Sequence, residues 1–321
     1  MRVGVVGAGV VGLTCAIRLA EAGHAVRVVA ARPAAESVSA VAAAMWFPYR
    51  AFPQERVLGW SMASLPVFES LAEDPATGVA MRYGTEIHRH ESPDLWWAAQ
   101  LPDVTRLDRQ QLPGGLGADP AILGGVRARL PVVIMSCYLN WLEQRCADLG
   151  VNRMIAALHS LADVDPTDEA VVLAVGLGAQ DLLGDTDMRP IRGQVVRLAN
   201  PGMTDWLLDE DDMSRFCYVI PRLDDVVCGG TAEVGQTSLE PDLATEVAIL
   251  ERARALAPAL ADAPVVSRAV GLRPGRTAVR LERCDGLDPA GRPVVACYGH
   301  GGAGVTMSWG CADEVTDLLV A

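Results

Sequence analysis

The sequence predicts an α/β protein of two interleaved units. One is a discontinuous, doubly wound unit with mainly parallel strands. The other is an inserted α+β unit on a mostly antiparallel sheet. Three observations carry the prediction. Gly7-Ala-Gly9-Val-Val-Gly12 follows an apolar run and opens a helical pattern, the β–Gly loop–α start of a dinucleotide-binding unit. A second glycine loop, Gly299-His-Gly301-Gly302-Ala-Gly304, lies between a strand-like run and a helix-like segment near the C-terminus. Between the two, stretches of βα character near 1–45, 130–185 and 265–321 alternate with stretches patterned for antiparallel strands. The first unit then comprises 1–50, 130–190 and 265–321, and the second 51–129 and 191–264.

The elements follow in order. Val3–Val6 reads as a short buried strand. Leu13–Ala22 reads as a helix, with Leu13, Ala16, Ile17 and Ala20 on one face and Gly23 as its stop. Ala25–Ala30 is the next strand. Val41–Ala44 runs into Met45-Trp-Phe47-Pro-Tyr49. From about Arg50 to Val132 the chain is richer in Pro and polar residues, with no clear βα rhythm. Met135–Leu149 is helical, carrying Tyr138, Trp141, Leu142 and Cys146 at helical spacing. Glu169–Val175 is a buried strand ending at Gly176. Gly193–Leu198, Cys217–Pro221 and Asp225–Cys228 are strands of an antiparallel sheet. Leu243–Leu260 is a long amphipathic helix. Val270–Arg280, the strand Pro293–Cys297 and a C-terminal helix complete the chain.

Composition narrows the function classes. A chain of 321 residues exceeds one ordinary hydrophobic core. Half the residues are hydrophobic, as in a globular enzyme. The net charge of −13 and the lack of a long Lys/Arg cluster argue against nucleic acid and anionic membranes as partners. No apolar run reaches the ~18 residues of a membrane helix. The eight cysteines are scattered without CxxC spacing and read as reduced. The first seventeen residues mimic a signal peptide, but their glycine spacing marks them as a βα unit. The chain ends Leu-Leu-Val-Ala321, without a peroxisomal tripeptide. The expectation is a cytoplasmic protein.

Gly7 permits a tight turn, Gly9 a close diphosphate and Gly12 close helix–strand packing, while the helix N-terminus offers N–H groups to the phosphates. A carboxylate for the ribose is missing after the second strand: Ala31-Arg32 stand there and Glu36 comes late. His88-Arg-His90 reads as a solvated strand face rather than a metal pair. Asp209-Glu-Asp-Asp212 reads as a solvated loop with room for a lid. Arg273 and Arg276 sit in an apolar, glycine-flanked stretch, so each must find an anion. Two glycine loops at opposite ends suggest a large cofactor held from two sides.

In combination these segments are specific. Val294-Val-Ala-Cys-Tyr298-Gly-His300-Gly-Gly302-Ala-Gly304-Val-Thr-Met-Ser-Trp309-Gly-Cys-Ala312 resembles the signature of the D-amino-acid oxidase family of flavoproteins. Val41-Ala-Ala-Ala-Met-Trp46-Phe-Pro48-Tyr49 is similar to the family's segment beside the flavin ring. Tyr218-Val-Ile-Pro221 with Cys228-Gly-Gly resembles its substrate-tyrosine strand. Gly271-Leu-Arg273-Pro with Arg280-Leu-Glu282 resembles its carboxylate-binding segment, and Arg192-Gly-Gln194 also matches. The blocks occur in family order along the whole chain. Departures are Ala31 where many members have an acid, Leu173-Ala-Val-Gly176 for a more polar turn, Ala296-Cys297 before Tyr298, and Ala232 where some members carry a second tyrosine.

The resemblance implies a Rossmann-like FAD-binding domain from the first unit and a substrate domain from the second. It implies non-covalent FAD, contacted by Gly7, Gly9, Val10, Val11, Gly12, Arg32, Ser39, Ala42, Ala43, Ala44, Leu158, Gly176, Gly299, Gly301, Gly302, Gly304, Val305 and Thr306. Arg273 would bind the substrate carboxylate, with Tyr218 in support and the Gly302 carbonyl accepting from the amine. Met45, Phe47 and Ile220 would line the side-chain pocket. The implied reaction is oxidation of neutral, mainly apolar D-amino acids by hydride transfer to flavin. Oxygen is the final acceptor, and the products are 2-oxo acids, ammonia and hydrogen peroxide. No metal is expected, and a homodimer is allowed. Alternatives are a D-aspartate or glycine oxidase, with Arg222 as a weak candidate for a second pocket cation, and a flavin-binding protein with little turnover. A nicotinamide dehydrogenase would leave the C-terminal signature unexplained.

Overall fold

The computed structural model describes residues 1–212 and 214–320. Strand β1 (Arg2–Val6) turns through the first glycine loop straight into helix α1 (Val10–Glu21), and β2 (Ala25–Ala30) follows. Glycines 7 and 12 are dictated by contact: a Cβ on Gly7 would meet the Ala174 carbonyl oxygen at 2.3 Å, and one on Gly12 the Gly7 carbonyl oxygen at 2.0 Å. A four-residue helix, α2 (Val38–Val41), leads to a second, long helix, α3 (Gln54–Leu71). The sequence reading missed α3. Its buried Val57, Trp60, Ser61, Ser64, Leu65 and Phe68 follow helical spacing, but the polar composition and the internal Pro66 obscured the pattern.

Next come β3 (Val79–His88), β4 (Val104–Asp108), β5 (Gly124–Val133), α4 (Met135–Asp148), β6 (Asn152–Ile155), β7 (Ala170–Leu173) and a short α5 (Ala179–Leu183). The antiparallel run holds β8 (Arg189–Ala199), β9 (Trp206–Asp209), β10 (Cys217–Pro221), β11 (Asp225–Gly229) and β12 (Glu233–Val234). Helix α6 (Leu243–Leu256), β13 (Val265–Gly275), β14 (Arg280–Arg283), β15 (Val294–Tyr298) and α7 (Gly304–Val320) end the fold.

Two sheets result. The first has the order β14-β15-β7-β1-β2-β6, parallel except for β14, which runs antiparallel to β15. Its central strands are apolar throughout, as burial on both faces requires. Helices α1 and α7 lie against each other, and the Thr14 hydroxyl reaches the Ser308 carbonyl at 3.1 Å. Helix α3 packs on α7: Ser64 Oγ accepts from the Gly310 amide at 2.9 Å, and Trp60 Nε1 donates to Glu314 at 2.6 Å. Helix α3 therefore rests on the parallel-sheet half.

The second sheet has nine strands. β13 flanks β8 along its length, β9 to β11 form a meander, and β8 lies beside β11. The pair β3·β9 is parallel and joins segments far apart in sequence. In that pair Glu86 stands beside Leu208, and Leu208 stands opposite Tyr218. Their side chains share one face, and alternation adds His88, Glu210, Phe216 and Ile220. Accordingly Leu208, Phe216, Tyr218 and Ile220 belong to the core between the two sheets. Ile87, Leu207, Cys217 and Val219 belong to a separate cluster under α6. All eight cysteines are free. No helix among the described residues is long and apolar enough to cross a membrane.

Candidate active site

The two glycine loops meet. Gly304 at the start of α7 has Val11 Cγ2 within 3.9 Å of where its Cβ would stand. Gly9 caps α1 without any side-chain hydrogen bond, and a Cβ there would touch only Ser39 Oγ. Ser39 accepts from the Val10 amide at 3.1 Å. Gly7, Gly9, Val11, Ala42, Ala43 and Gly304 are only half-buried, although they flank the core. They form an open trough beside two helix N-termini, which fits a bound diphosphate and its attached rings. Ala31, Arg32 and Glu36 at the end of β2 are exposed. Leu158 and Gly176 are half-buried at the β7 side, and Gly176 approaches Pro274. Val305 is buried. The Thr306 hydroxyl is committed elsewhere: it accepts from the Phe47 amide and donates to the Phe47 carbonyl, both at 3.0 Å. That exchange pins the Met45–Phe47 segment to α7.

Arg273 lies on β13 beside the second loop. The Gly301 amide donates to the Pro274 carbonyl at 2.9 Å, which docks the loop on that strand. The guanidinium lies flat over Gly193, where a Cβ would approach it within 2.3 Å. Arg273 Nη1 donates to the Thr231 carbonyl at 2.9 Å. The neighbouring arginines are taken: Arg276 by Asp185 at 3.2 Å, Arg280 by Glu282 at 2.7 Å and Arg283 by Asp285 at 2.9 Å. Among the described residues Arg273 has no carboxylate partner, so its charge is available to an anion from the trough.

An aromatic wall surrounds it. The Tyr218 ring lies across the Gly229-Gly230 backbone, where side chains would collide with it. Burial raises the Tyr218 phenol above its ordinary range, and the Arg273 charge and hydrogen bond oppose that rise. Tyr49 stacks on Phe216 with ring centroids 5.2 Å apart, and Phe216 meets Tyr218 edge-on at 5.7 Å. The Arg273 guanidinium stands 6.0 Å from the Tyr49 ring centre. Gly302 faces Tyr49, whose Cδ1 would be 2.5 Å from any Cβ there. The structure thus brings Arg273, Tyr218 and Gly302 around Tyr49 and Phe216, while Met45, Phe47 and Ile220 are buried in the large core cluster. Tyr49 and Phe216 escaped the sequence reading as site residues.

Two sequence readings are overturned. His88 is buried, 4 % exposed, at the end of β3, so the His88-Arg-His90 stretch is not a solvated face. Its imidazole is held below its usual pKa by burial, with Asp211 opposing. Asp209 is also buried and binds Arg89 at 2.7 Å, so Asp209–Asp212 is not a solvated loop. The segment continues through Met213, which lies outside the described residues, and the lid reading falls partly there. Arg222, the candidate second cation, is bound to Asp225 at 2.7 Å. A separate cavity of about 160 Å³ lies on the other face of the antiparallel sheet, between Ile87, Leu116, Cys217 and Leu256.

The sequence pattern of the FAD dependent oxidoreductases matches residues 2–318. The chain belongs to that family. It is 45 % identical to the D-amino-acid oxidase of Rubrobacter xylanophilus over 321 residues, covering all of this chain and 96 % of the relative. It is 42 % identical to the D-amino-acid oxidase of Streptomyces coelicolor, covering 98 % of this chain and 95 % of the relative. Glycine oxidase from Geobacillus kaustophilus, 20 % identical, has the same fold, with a TM-score of 0.81 over 99 % of this chain and 95 % of that one. Membership makes FAD the cofactor of this oxidoreductase, and the trough between the glycine loops fits it.

Proposed function

We propose that this oxidoreductase oxidises D-amino acids to 2-oxo acids, with release of ammonia and hydrogen peroxide. The observation that carries the reading is Arg273, without a carboxylate partner on the wall of the trough. Relatives over 40 % identical and named D-amino-acid oxidases support it.

Arg273 binds the substrate carboxylate through paired hydrogen bonds. The Tyr218 hydroxyl supports the same carboxylate from β10, three strands away in the same sheet. The Gly302 carbonyl accepts from the neutral amine. When bound, FAD supplies the two-electron acceptor for the Cα hydrogen and the route to oxygen. With carboxylate and amine fixed and the Cα hydrogen facing the trough, the fourth substituent has one space left. Met45, Phe47 and Ile220 wall that space next to Cα, which favours apolar atoms there. In the L-enantiomer the hydrogen points away or the side chain strikes the trough. No side-chain base is required; His300 is buried, with its imidazole pushed down to about 4, and stays neutral. The imine leaves and hydrolyses in water. Orientation and exclusion of water are the work of the protein.

Segments 1–50, 130–190 and 265–321 act as the FAD domain, although β13 at the start of the last one pairs with β8 in the antiparallel sheet. The remainder, 51–129 and 191–264, acts as the substrate domain, with α3 braced on α7. FAD is held by Gly7, Gly9, Val10, Val11 and Gly12 on one side and by Gly299, Gly301, Gly304 and the Val305–Thr306 backbone on the other. The acidic charge supports a cytoplasmic enzyme without nucleic-acid or membrane partners, and a homodimer is compatible with it.

The test is peroxide release with D-Met, D-Val, D-Asp, Gly and L-Met at equal concentration. D-Met and D-Val are expected to turn over and L-Met is not. Activity with L-Met overturns the reading.

A further inference from the structure

The face of the antiparallel sheet that carries Tyr218 also carries two carboxylic acids that the reaction does not use. Glu86 stands beside Leu208, which is opposite Tyr218. Glu210 follows two residues after Leu208. A diagonal neighbour on paired strands is roughly 7–8 Å away, so Glu210 stands about the length of a four-carbon side chain from Tyr218. Glu86 is 3 % exposed. Its Oε2 accepts from the Trp97 indole at 2.9 Å, and the Trp97 ring lies 5.0 Å from that of the pocket residue Phe47. Glu86 therefore backs the far end of the same pocket.

The charges around these acids are mostly committed. Arg89 is bound to Asp209 and Asp119, and Arg222 to Asp225. Arg50 donates to the Tyr49 hydroxyl at 2.8 Å and caps that ring, and its charge acts on Glu210 from one side. Nothing described donates a hydrogen bond to Glu210; Asp211, Arg50 and Glu86 are charged groups that act on it or are acted on by it. His88 gives a second, independent sign. It is 4 % exposed, both ring nitrogens lack a hydrogen-bond partner, and its ring nitrogen lies within 4.8 Å of the Glu86 and Asp211 oxygens. Glu86 accepts from Trp97 alone, Glu210 from no described donor, and His88 Nδ1 reaches Asp211 only at 3.7 Å, so the acids keep acceptor capacity unmet. A protonated amine or guanidinium supplies several donors at once.

We infer that the substrate pocket ends in a cation subsite, formed by Glu210 with Glu86 behind it, that selects D-amino acids whose long side chain ends in an amine or guanidinium. The inference rests on the D-amino-acid reading of the site. Apolar walls next to Cα hold the methylene stem, and the acids hold the charged end. Glu210 accepts directly, while Glu86 and His88 stabilise the charge from the second row. The burial that raises the Glu210 carboxyl to about 7 is offset when the cation arrives.

D-Lys, D-Arg and D-norleucine are compared by kcat/KM at pH 8.5, in wild type, Glu210→Gln and Glu86→Gln. D-norleucine has the stem of D-Lys without its charge. The expected wild-type preference for D-Lys or D-Arg over D-norleucine is tenfold or more. Glu210→Gln should lower that ratio at least tenfold, and Glu86→Gln should lower it less. In wild type the ratio should fall as the pH drops from 8.5 to 6, because Glu210 takes up a proton while the shared α-amine chemistry cancels. That measurement decides the matter if a variant does not fold. Turnover of D-norleucine with no preference for the cations, at any pH, overturns the subsite. Absence of turnover with every D-amino acid overturns the function reading beneath it.

Discussion

At the scale of the residue, the roles proposed for Arg273 and Glu210 each have a measurable consequence. Replacing Arg273 by Ala removes the proposed carboxylate anchor. Loss of one partner of a desolvated ion pair costs about 3–5 kcal/mol, or roughly two to four decades in kcat/KM. FAD absorbance should persist in the variant, because Arg273 stands on the substrate side of the trough. A loss under tenfold with flavin retained would move the anchor elsewhere. Glu210 makes stability depend on pH. Its carboxyl is raised from 4.5 to about 7 by burial, with Asp211 adding and Arg50 opposing, and Glu86 and Tyr49 also face it. The folded state holds the proton more tightly than the unfolded chain. Stability from this group is full below about 4.5, falls as pH rises toward about 7, and is level beyond. Glu210→Gln should gain on wild type across that window, by on the order of 3 kcal/mol at its top. Urea midpoints at pH 4.5 and 7.5 measure it, and an equal difference at both pH values would remove Glu210 as the cause. Arg273 was legible in the sequence because an arginine among glycines and apolar residues needs an anion. Tyr49 and Phe216 were not, since their stacking joins residues 49 and 216. His88 and Asp209 were misjudged because a polar run looks solvated until the pleat shows which side is covered, and Glu86 drew no reading at all.

Among the elements, the helix pair α3 and α7 is the least expected. The helical spacing of Val57, Trp60, Ser64 and Phe68 was present in the sequence, and Pro66 masked it. What no local pattern revealed is the partner. Gly310 lets the backbone of α3 touch α7: a Cβ there would stand 2.3 Å from the Trp60 carbonyl oxygen. Backbone cannot yield as a side-chain tip can, so Gly310→Ala should cost about 1–3 kcal/mol. The melting midpoint should fall, and the variant should lose FAD more readily because α7 carries the second glycine loop. An unchanged midpoint would mean that the helices can separate at no cost. Strands β1, β2, β7 and β15 were read to within one or two residues because their runs are mostly apolar, whereas β6, exposed along its length, and the charged β14 were not read. Helix α6 ends at Leu256, short of the expected Leu260, because Pro258 begins a tighter turn.

For the whole molecule, segments from opposite ends of the sequence are brought together at the two glycine loops, where FAD is proposed to lie. We expect FAD to be held without a covalent bond; Cys297 and His300 are buried against each other, Sγ to Nε2 3.8 Å. Denaturation should therefore release FAD intact into a filtrate. Free FAD at about a hundred times its dissociation constant should stabilise the fold by about 2.7 kcal/mol. Flavin that stays with the precipitated chain would disprove non-covalent binding. The exposed Ala31 at the end of β2 leaves the ribose without its usual acid, and dilution should shed part of the cofactor. The sequence showed the order of these pieces along the chain. It could not show that β3 and β9, about 120 residues apart, share an edge, because strand partners are chosen by the assembled core.

The meeting of the two glycine loops also sets a timetable. Val11 and Gly304 are neighbours in space but stand at opposite ends of the message that encodes them. During synthesis β1 can pair early with β2, then must wait for β7, while β15 and α7 emerge last of all. A ribosome that stalls before residue 294 releases a chain with half a cradle and an uncovered apolar sheet. Such a fragment has nothing to clamp and much to aggregate with. Capture of flavin thus reports that synthesis has passed the second glycine loop, and cells short of riboflavin should accumulate easily degraded chains.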